Sequence, residues 1–171
     1  GAAIVGLEPS CLLSLRDEFL AMGFGDAATR LADRAMLVEE FLAREHAAGR
    51  LRLPLGSIPQ KRALVHGHCH QKAFDALSPT VAMLKLVPGL AVDVVESSCC
   101  GMAGSFGYEA EHHELSMRMA ELSLLPAVRA VDADTLIVAD GTSCRHQIAD
   151  GTRSGGAGRE AVHAIRVLAS A

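Results

Sequence analysis

Short apolar runs alternate with longer amphipathic stretches along the 171-residue chain. The apolar runs are typical of buried strands and lie at 3–7, 62–66, 90–95 and 135–139. Apolar residues at helical spacing predict a helix starting near Pro9 and further helices over about 26–48, 71–77, 79–87, 111–129, 143–149 and 160–169. Pro126 is expected to kink or interrupt the helix over 111–129. The glycine-rich stretch 151–158 predicts a mobile loop.

This alternation of strands and helices predicts an α/β fold. Connections between parallel strands cross over the sheet with a right-handed sense, and their helices cover its faces. We therefore expect a mainly parallel sheet of four or slightly more strands, flanked by helices in three layers. The chain length fits one domain with a substantial core, and 50% of the residues are hydrophobic.

Cysteines follow the end of every predicted strand. Because the carboxyl ends of parallel strands meet at one edge of a sheet, we expect these thiols to converge there. An odd number of cysteines in a chain of this length fits a reducing compartment better than a disulfide scaffold, so we expect a cytoplasmic location. The five cysteines are Cys11, Cys69, Cys99, Cys100 and Cys144.

The adjacent pair Cys99 and Cys100, followed by Gly101, is the most specific part of this pattern. Neighbouring side chains diverge, and a disulfide between adjacent cysteines is strained. Ligation of a metal ion or an iron–sulfur cluster explains the pair better. Gly101 and Gly104 would let backbone N–H groups approach the sulfur atoms. Thiolates suit zinc and iron–sulfur clusters equally well, so the spacing alone leaves the metal open.

Three histidines alternate around Cys69, namely His66, His68 and His70. In an extended chain they would share one side, and Cys69 would point to the other. We interpret them as hydrogen-bonded residues that line a cleft. A zinc site formed by Cys69 and one histidine is the alternative.

Composition argues against two classes of partner. The net charge is −4, aromatic residues make up 4% of the chain and tryptophan is absent, which argues against nucleic acid as a partner. No apolar run approaches the roughly 20 residues that span a bilayer, so we expect no transmembrane segment.

A faint internal repeat relates residues 4–11 to residues 136–144, with one extra residue in the second copy. Each copy contains a strand, an acidic residue (Glu8 or Asp140), a turn, a Ser-Cys pair and a helix. If one unit runs from Cys69 to Cys144, then Cys11 is the last element of a preceding unit. We expect residues 1–58 to be the tail of a preceding half-repeat plus helices, and residues 59–171 to be one complete repeat.

The motifs His68-Cys69-His70, Cys99-Cys100-Gly101 and Ser143-Cys144 resemble the cysteine-rich CCG domain. That domain occurs in the cysteine-rich subunit of heterodisulfide reductase and in the iron–sulfur subunit of glycolate oxidase. The longer stretches around these motifs are most similar to the C-terminal region of FAD-linked D-lactate and D-2-hydroxyglutarate dehydrogenase-like oxidases. The resemblance covers nearly the whole chain, as a single CCG-type domain over 1–171.

The resemblance implies an iron–sulfur domain that relays electrons from FAD to an acceptor in a flavin-dependent 2-hydroxy-acid dehydrogenase. A 4Fe-4S type cluster is expected in the intact enzyme and can be lost from an isolated fragment. Flavin and ferredoxin-like domains would lie upstream in the same chain. This chain is therefore expected to be a fragment of a larger enzyme and not catalytic alone. Peripheral association with a membrane through the parent enzyme is the alternative to a wholly cytoplasmic location.

One position departs from the resembled motif, because Gln147 stands where its final cysteine would be. The ligands that remain in the unit are Cys69, Cys99, Cys100 and Cys144, and Cys11 could join them from the preceding unit. Two alternatives stay open. The first is a structural zinc-binding or cluster-less assembly domain of the same oxidoreductase, and the second is a thiol–disulfide redox module.

Overall fold

The computed structural model describes residues 1–153 and 158–171. Its N-terminal unit has two strands that pair in parallel, with Ile4 opposite Ala35. The elements of this unit are β1 (Ile4–Gly6), α1 (Pro9–Leu13), a 3-10 turn (Ser14–Arg16), α2 (Glu18–Ala21), α3 (Asp26–Ala32), β2 (Ala35–Leu37) and α4 (Val38–Ala47).

The main sheet follows and has four parallel strands in the order β4-β3-β5-β6. The predicted fold class, a parallel four-stranded sheet flanked by helices, is confirmed. The elements of this part are β3 (Arg62–His66), α5 (Cys69–Ala73), α6 (Leu77–Leu84), β4 (Ala91–Val94), a 3-10 turn (Phe106–Tyr108), α7 (His113–Glu121), α8 (Leu124–Ala130), β5 (Leu136–Ala139), α9 (Thr142–Arg153), β6 (Ala161–Val162) and α10 (Ala164–Ser170).

Both faces of the main sheet are buried, as parallel sheets require. Side chains on a strand alternate between the faces, so Val65 of β3 packs on one side and Leu64 on the other. The face of Val65 packs against α6 and α10 through Met83, Leu84, Val167 and Leu168. The face of Leu64 packs against α8 and α9 and also includes Leu124, Val128, Ile148, Cys100 and Cys144.

The predicted helix over 26–48 is wrong in its middle, because β2 interrupts it. Ala35 and Leu37 of β2 are buried against Leu12 and Leu13 of α1, in a separate small core. The apolar positions of this stretch satisfy helical spacing as well as strand alternation. Burial against α1 and pairing with β1 favour the strand. The first predicted strand accordingly pairs with β2 and not with the main sheet.

The predicted helix over 111–129 is interrupted, as Pro126 led us to expect, but the break lies before the proline. α7 ends at Glu121 and α8 begins at Leu124. Pro126 is then the third residue of α8, where an N–H group would have no partner within the helix. The predicted loop over 151–158 is wrong in its first part, since α9 continues to Arg153. Residues 154–157 of that loop lie outside the described residues.

The order strand–helix–strand–helix occurs twice. In the N-terminal unit it is β1, α1, β2, α4, with a 3-10 turn, α2 and α3 between α1 and β2, and in the main sheet it is β5, α9, β6, α10. The two strands pair in parallel in both cases. This arrangement places Cys11 in α1 and Cys144 in α9 at comparable points. Over the described ranges, no helix combines the length and apolarity needed to cross a membrane.

Candidate metal centre

All five cysteines line one cavity of about 670 Å³. The cavity lies beyond the carboxyl ends of the strands, and each thiol is free. The predicted convergence of thiols at one edge of the fold is therefore confirmed. Their exposure differs, because Cys11 and Cys69 are exposed, Cys99 is intermediate, and Cys100 and Cys144 are buried.

Cys144 lies in the first turn of α9, where the helix dipole favours a negatively charged group. The start of α9 is held by Glu8 of the N-terminal unit. The Glu8 carboxylate accepts hydrogen bonds from Thr142 N (2.9 Å) and Thr142 Oγ1 (2.7 Å). Burial opposes ionisation of Glu8, but these hydrogen bonds outweigh it and hold its pKa below the ordinary value. The N-terminal unit therefore fixes the helix that carries Cys144.

The double cysteine lies in the loop after β4, and the geometry of that loop requires Gly101. Gly101 has φ +95°, and a Cβ there would overlap the carbonyl oxygen of Ser116 and lie 3.0 Å from its carbonyl carbon. Its N–H donates to Cys99 Sγ at 3.3 Å. Gly104 has φ +68° but open space around it, so only its backbone conformation favours glycine.

The sulfur atoms lie close enough to shift one another's pKa values. The sulfurs of Cys100 and Cys144 are 3.4 Å apart. Contacts with Cys100 and then Cys69 hold the pKa of Cys99 well below its ordinary value. The contact with Cys100 lowers the pKa of Cys144 to about 5, against the opposing effect of burial.

The same contacts raise the pKa of the other two thiols. Contacts with Cys144 and then Cys99 raise the pKa of Cys100, and contact with Cys99 followed by burial raises that of Cys69. The contacts therefore favour the thiolate form at Cys99 and Cys144 and the thiol form at Cys69 and Cys100. Because thiolate is the form that binds metals, a thiophilic metal would displace the remaining protons.

His66 is a sixth donor, which the sequence interpretation treated as a cleft residue or, in the alternative, as one of three histidines that could join Cys69 in a zinc site. It ends β3 on the same face as Leu64, and one ring nitrogen lies within 4.8 Å of the sulfurs of Cys100 and Cys144. Its Nδ1 is 2.9 Å from Ser97 Oγ, whereas its Nε2 is buried without a hydrogen-bond partner within the described chain. The alternation of side chains along β3 is the signal that would have placed it there.

The other two histidines of the alternating set are held differently, because α5 begins at Cys69 and the chain is not extended there. His68 caps α5, and its Nδ1 accepts from the N–H of His70 at 3.2 Å. His68 Nδ1 is also 3.9 Å from Cys69 Sγ. His68 and His70 both line the cavity. His68 is thus a hydrogen-bonded residue of the cleft, as expected, whereas His70 Nδ1 is buried without a hydrogen-bond partner among the described residues.

Gln147 packs beneath the cysteine loop and is hydrogen-bonded to Ser116 of α7. Its Nε2 donates to Ser116 O at 3.0 Å and to Ser116 Oγ at 2.9 Å, and its side chain is buried. The same nitrogen would lie 3.1 Å from a Cβ at Gly101. Gln147 thus ties α9 to α7 at the point where the loop passes between them.

Lys72 of α5 holds the loop from the other side. Its ammonium group donates to the carbonyl oxygens of Ser97 and Ser98, the latter at 3.1 Å. Burial lowers the pKa of Lys72, while the neighbouring cysteines oppose this effect. A cation is therefore fixed beside the thiols.

Comparison with curated proteins gives two kinds of relative. A subunit of the anaerobic glycerol-3-phosphate dehydrogenase of Escherichia coli (strain K12) is 30% identical over 148 residues, which are 86% of this chain and 36% of the relative. The D-2-hydroxyglutarate dehydrogenase of the same strain is 31% identical over 150 residues, which are 86% of this chain and 14% of the relative. That of Pantoea ananatis is 28% identical over 151 residues.

The chain thus spans about a third of one kind of relative and a seventh of the other. No known family profile and no solved structure matches it. The expected similarity to D-2-hydroxyglutarate dehydrogenase is confirmed, and the similarity to part of a glycerol-3-phosphate dehydrogenase is new. The homologues are dehydrogenases or their subunits, and they support an oxidoreductase-related domain.

Proposed function

We propose that this chain is an iron–sulfur electron-transfer domain of the CCG type. In the intact enzyme it would relay electrons from FAD, bound by an upstream domain, to an acceptor. The observation that carries the proposal is the convergence of five free thiols on one cavity. Packing alone does not explain five cysteines that come from four separate segments.

The residues present fit an iron–sulfur cluster. Cys69, Cys99, Cys100 and Cys144 would supply thiolate ligands, and a cluster would supply one-electron transfer. Gly101 donates its N–H to Cys99 Sγ, and such hydrogen bonds tune cluster potential. Exposure of Cys69 leaves one side of the site accessible, as exchange of electrons with an acceptor requires.

Cys11 is proposed as a donor from a preceding half-repeat. It lines the same cavity, and it holds in α1 the place that Cys144 holds in α9. Glu8 bridges the two halves through its hydrogen bonds to Thr142. A cluster shared between two half-units would compensate for the thiol that is missing at Gln147. Residues 1–58 and 59–171 are accordingly proposed as the tail of one repeat and one complete repeat.

The parent enzyme is proposed to be a flavin-dependent 2-hydroxy-acid dehydrogenase. The supporting observation is the identity of 28–31% to D-2-hydroxyglutarate dehydrogenases over 86% of the chain. The glycerol-3-phosphate dehydrogenase polypeptide is a relative as well. An electron-transfer role is compatible with both relatives, since it does not depend on which substrate is oxidised.

Structural zinc is the second candidate, and the position of His66 favours it. One histidine and two cysteines whose ligand atoms lie within 4.8 Å of one another offer three of the four ligands of a zinc site. Cys99 is the neighbouring thiol that could complete the set. Zinc would make this domain an assembly element of the same oxidoreductase and not an electron relay.

The test is anaerobic reconstitution of the chain with iron and sulfide, followed by EPR of the reduced sample and analysis of bound iron and acid-labile sulfide. We expect a cluster signal in the wild type, and its loss in Cys99→Ser and in Cys144→Ser. Ser98→Ala is the matched control, because Ser98 lies in the same loop with an exposed side chain. It should keep the full signal.

Two results would contradict the proposal. The first is stoichiometric zinc with no bound iron after reconstitution, which would support the structural alternative. The second is a cluster signal in the two serine variants equal to that of the wild type. Circular dichroism of each variant establishes that a lost signal does not come from unfolding.

A further inference from the structure

A second cluster of ligand-type side chains lies apart from the thiols, where α4, β5 and α10 meet. It consists of Glu39, Asp140 and His163, whose ligand atoms lie within 4.8 Å of one another. The Glu39 and Asp140 side chains are 0% and 2% exposed, and that of His163 is 11% exposed. Each residue comes from a different segment of the chain, so the cluster joins the N-terminal unit to the main sheet.

The orientation of His163 is fixed by the backbone on both sides of its ring. Its Nε2 lies 2.8 Å from the carbonyl oxygen of Leu7, which can only accept, so Nε2 carries a proton. Its Nδ1 lies 3.2 Å from the backbone nitrogen of Ile165, and a metal ion bound at Nδ1 would take the place of that hydrogen bond. Histidines that bind metals commonly donate their other N–H to a backbone carbonyl in this way.

The Glu39 carboxylate is the unexplained group of the cluster. Both of its oxygens are buried without a hydrogen-bond partner among the described residues. Within the same ranges, the basic side chain that lies near it is His163, and neither Lys nor Arg pairs with it or with Asp140. Burial of an ionised carboxylate is unfavourable unless a proton or a cation neutralises it, and a second carboxylate beside it adds repulsion.

Asp140 is held as a ligand would be. Its Oδ2 accepts from Gln71 Nε2 at 2.8 Å and from Thr80 Oγ1 at 3.3 Å, and its Oδ1 accepts from the N–H of Ala164 at 2.9 Å. These bonds orient the carboxylate and leave Oδ1 facing His163 Nδ1 at 3.3 Å. Hydrogen-bonded carboxylates of this kind are usual around metal ions.

We propose that Glu39, Asp140 and His163 bind one divalent transition-metal ion through Glu39 Oε1, Asp140 Oδ1 and His163 Nδ1. Nδ1 is 3.5 Å from Glu39 Oε1 and 3.3 Å from Asp140 Oδ1. Donors about 2.1 Å from one ion lie roughly 3.0–3.4 Å apart, so little movement is needed. The ion would neutralise the two carboxylates and fasten α4 to the end of β5. The site differs from the thiol cavity in its donors and is independent of the proposed electron transfer.

The probe is Mn²⁺, because carboxylates and imidazole suit it whereas thiolates select softer ions. The wild-type chain is titrated with Mn²⁺, and free Mn²⁺ is measured by EPR. We expect binding of about one ion per chain. In pulsed EPR, the spin echo of the bound Mn²⁺ should be modulated by the imidazole nitrogen of His163. Glu39→Gln should weaken that binding by at least about tenfold. Glu114→Gln is the matched control, since Glu114 is the second residue of α7, as Glu39 is of α4, but is exposed.

Three results would overturn the proposal. They are no binding up to about 1 mM Mn²⁺, bound Mn²⁺ without nitrogen modulation, and equal affinity in Glu39→Gln and the wild type. The nitrogen measurement uses the wild-type chain and so does not depend on how a variant folds. Failure of this test leaves the thiol site untouched, because none of these three residues contributes a sulfur ligand.

Discussion

Replacing Gly101 by alanine tests whether the geometry of the cysteine loop is as restricted as the structure indicates. A positive φ costs an L-residue about 1–2 kcal/mol. The new Cβ would also overlap the Ser116 backbone, which belongs to α7 and cannot rotate away. Overpacking of this kind typically costs about 1–3 kcal/mol. We therefore expect Gly101→Ala to lower the free energy of unfolding by about 2–5 kcal/mol.

Gly104→Ala is the matched control, because Gly104 lies in the same loop at φ +68° but a Cβ there meets no atom within 4 Å. It should cost about 1–2 kcal/mol, from backbone conformation alone. The difference between the two variants isolates the overlap with Ser116. Urea denaturation followed by circular dichroism measures both. For a chain of this length, each kcal/mol also lowers Tm by roughly 2–4 °C.

Equal destabilisation by the two variants, within about 0.5 kcal/mol, would refute this reasoning. It would mean that α7 yields to the added methyl group and that the loop is not confined. Gly101→Ala should also retain less iron after reconstitution than Gly104→Ala, because relief of the overlap with Ser116 would displace the N–H that residue 101 donates to Cys99 Sγ.

Three further predictions concern the supports of the site. Gln147→Leu should lower the free energy of unfolding by about 1–3 kcal/mol, measured in urea, because it removes the buried hydrogen bonds from Gln147 Nε2 to Ser116 O and Oγ. An unchanged free energy of unfolding would contradict this role of Gln147. Lys72→Met should make the reduction potential of a bound cluster more negative, because the variant lacks the positive charge of Lys72 beside the thiols. An EPR redox titration measures the potential, and an unchanged value would contradict this role of Lys72. Glu8→Gln should weaken the cap at Thr142 by about 0.5–2 kcal/mol at pH 7. Because the pKa of Glu8 is lowered from 4.5, the stability that ionised Glu8 gives the wild type should be lost as the pH falls below about 4.5. In acid denaturation, Glu8→Gln should not show this loss of stability.

The thiol site could be predicted from sequence because its signal is local. Each cysteine follows an apolar run, and parallel strands end at one edge, so Cys69 and Cys144 could be brought together without coordinates. β2 could not be predicted in the same way. Ala35 and Leu37 fit the spacing of a helix, and only packing against Leu12 and Leu13 decides in favour of a strand.

The second cluster illustrates why the rest of the molecule was not predictable. Glu39, Asp140 and His163 are far apart in sequence, and nothing in the surrounding residues marks them as neighbours. His163 gave no signal because its orientation depends on the carbonyl of Leu7, in another segment. His66 was within reach, since alternation along β3 puts it on the face of Leu64, but the chain stops being extended where α5 begins at Cys69.

The most direct test of the central claim is ⁵⁷Fe Mössbauer spectroscopy, with zinc analysis, on chain produced and purified anaerobically in ⁵⁷Fe medium. If the five thiols serve an iron–sulfur centre, most of the iron should appear in cluster subspectra, with acid-labile sulfide in about equal amount. Stoichiometric zinc and no cluster subspectrum in the same sample would contradict the account.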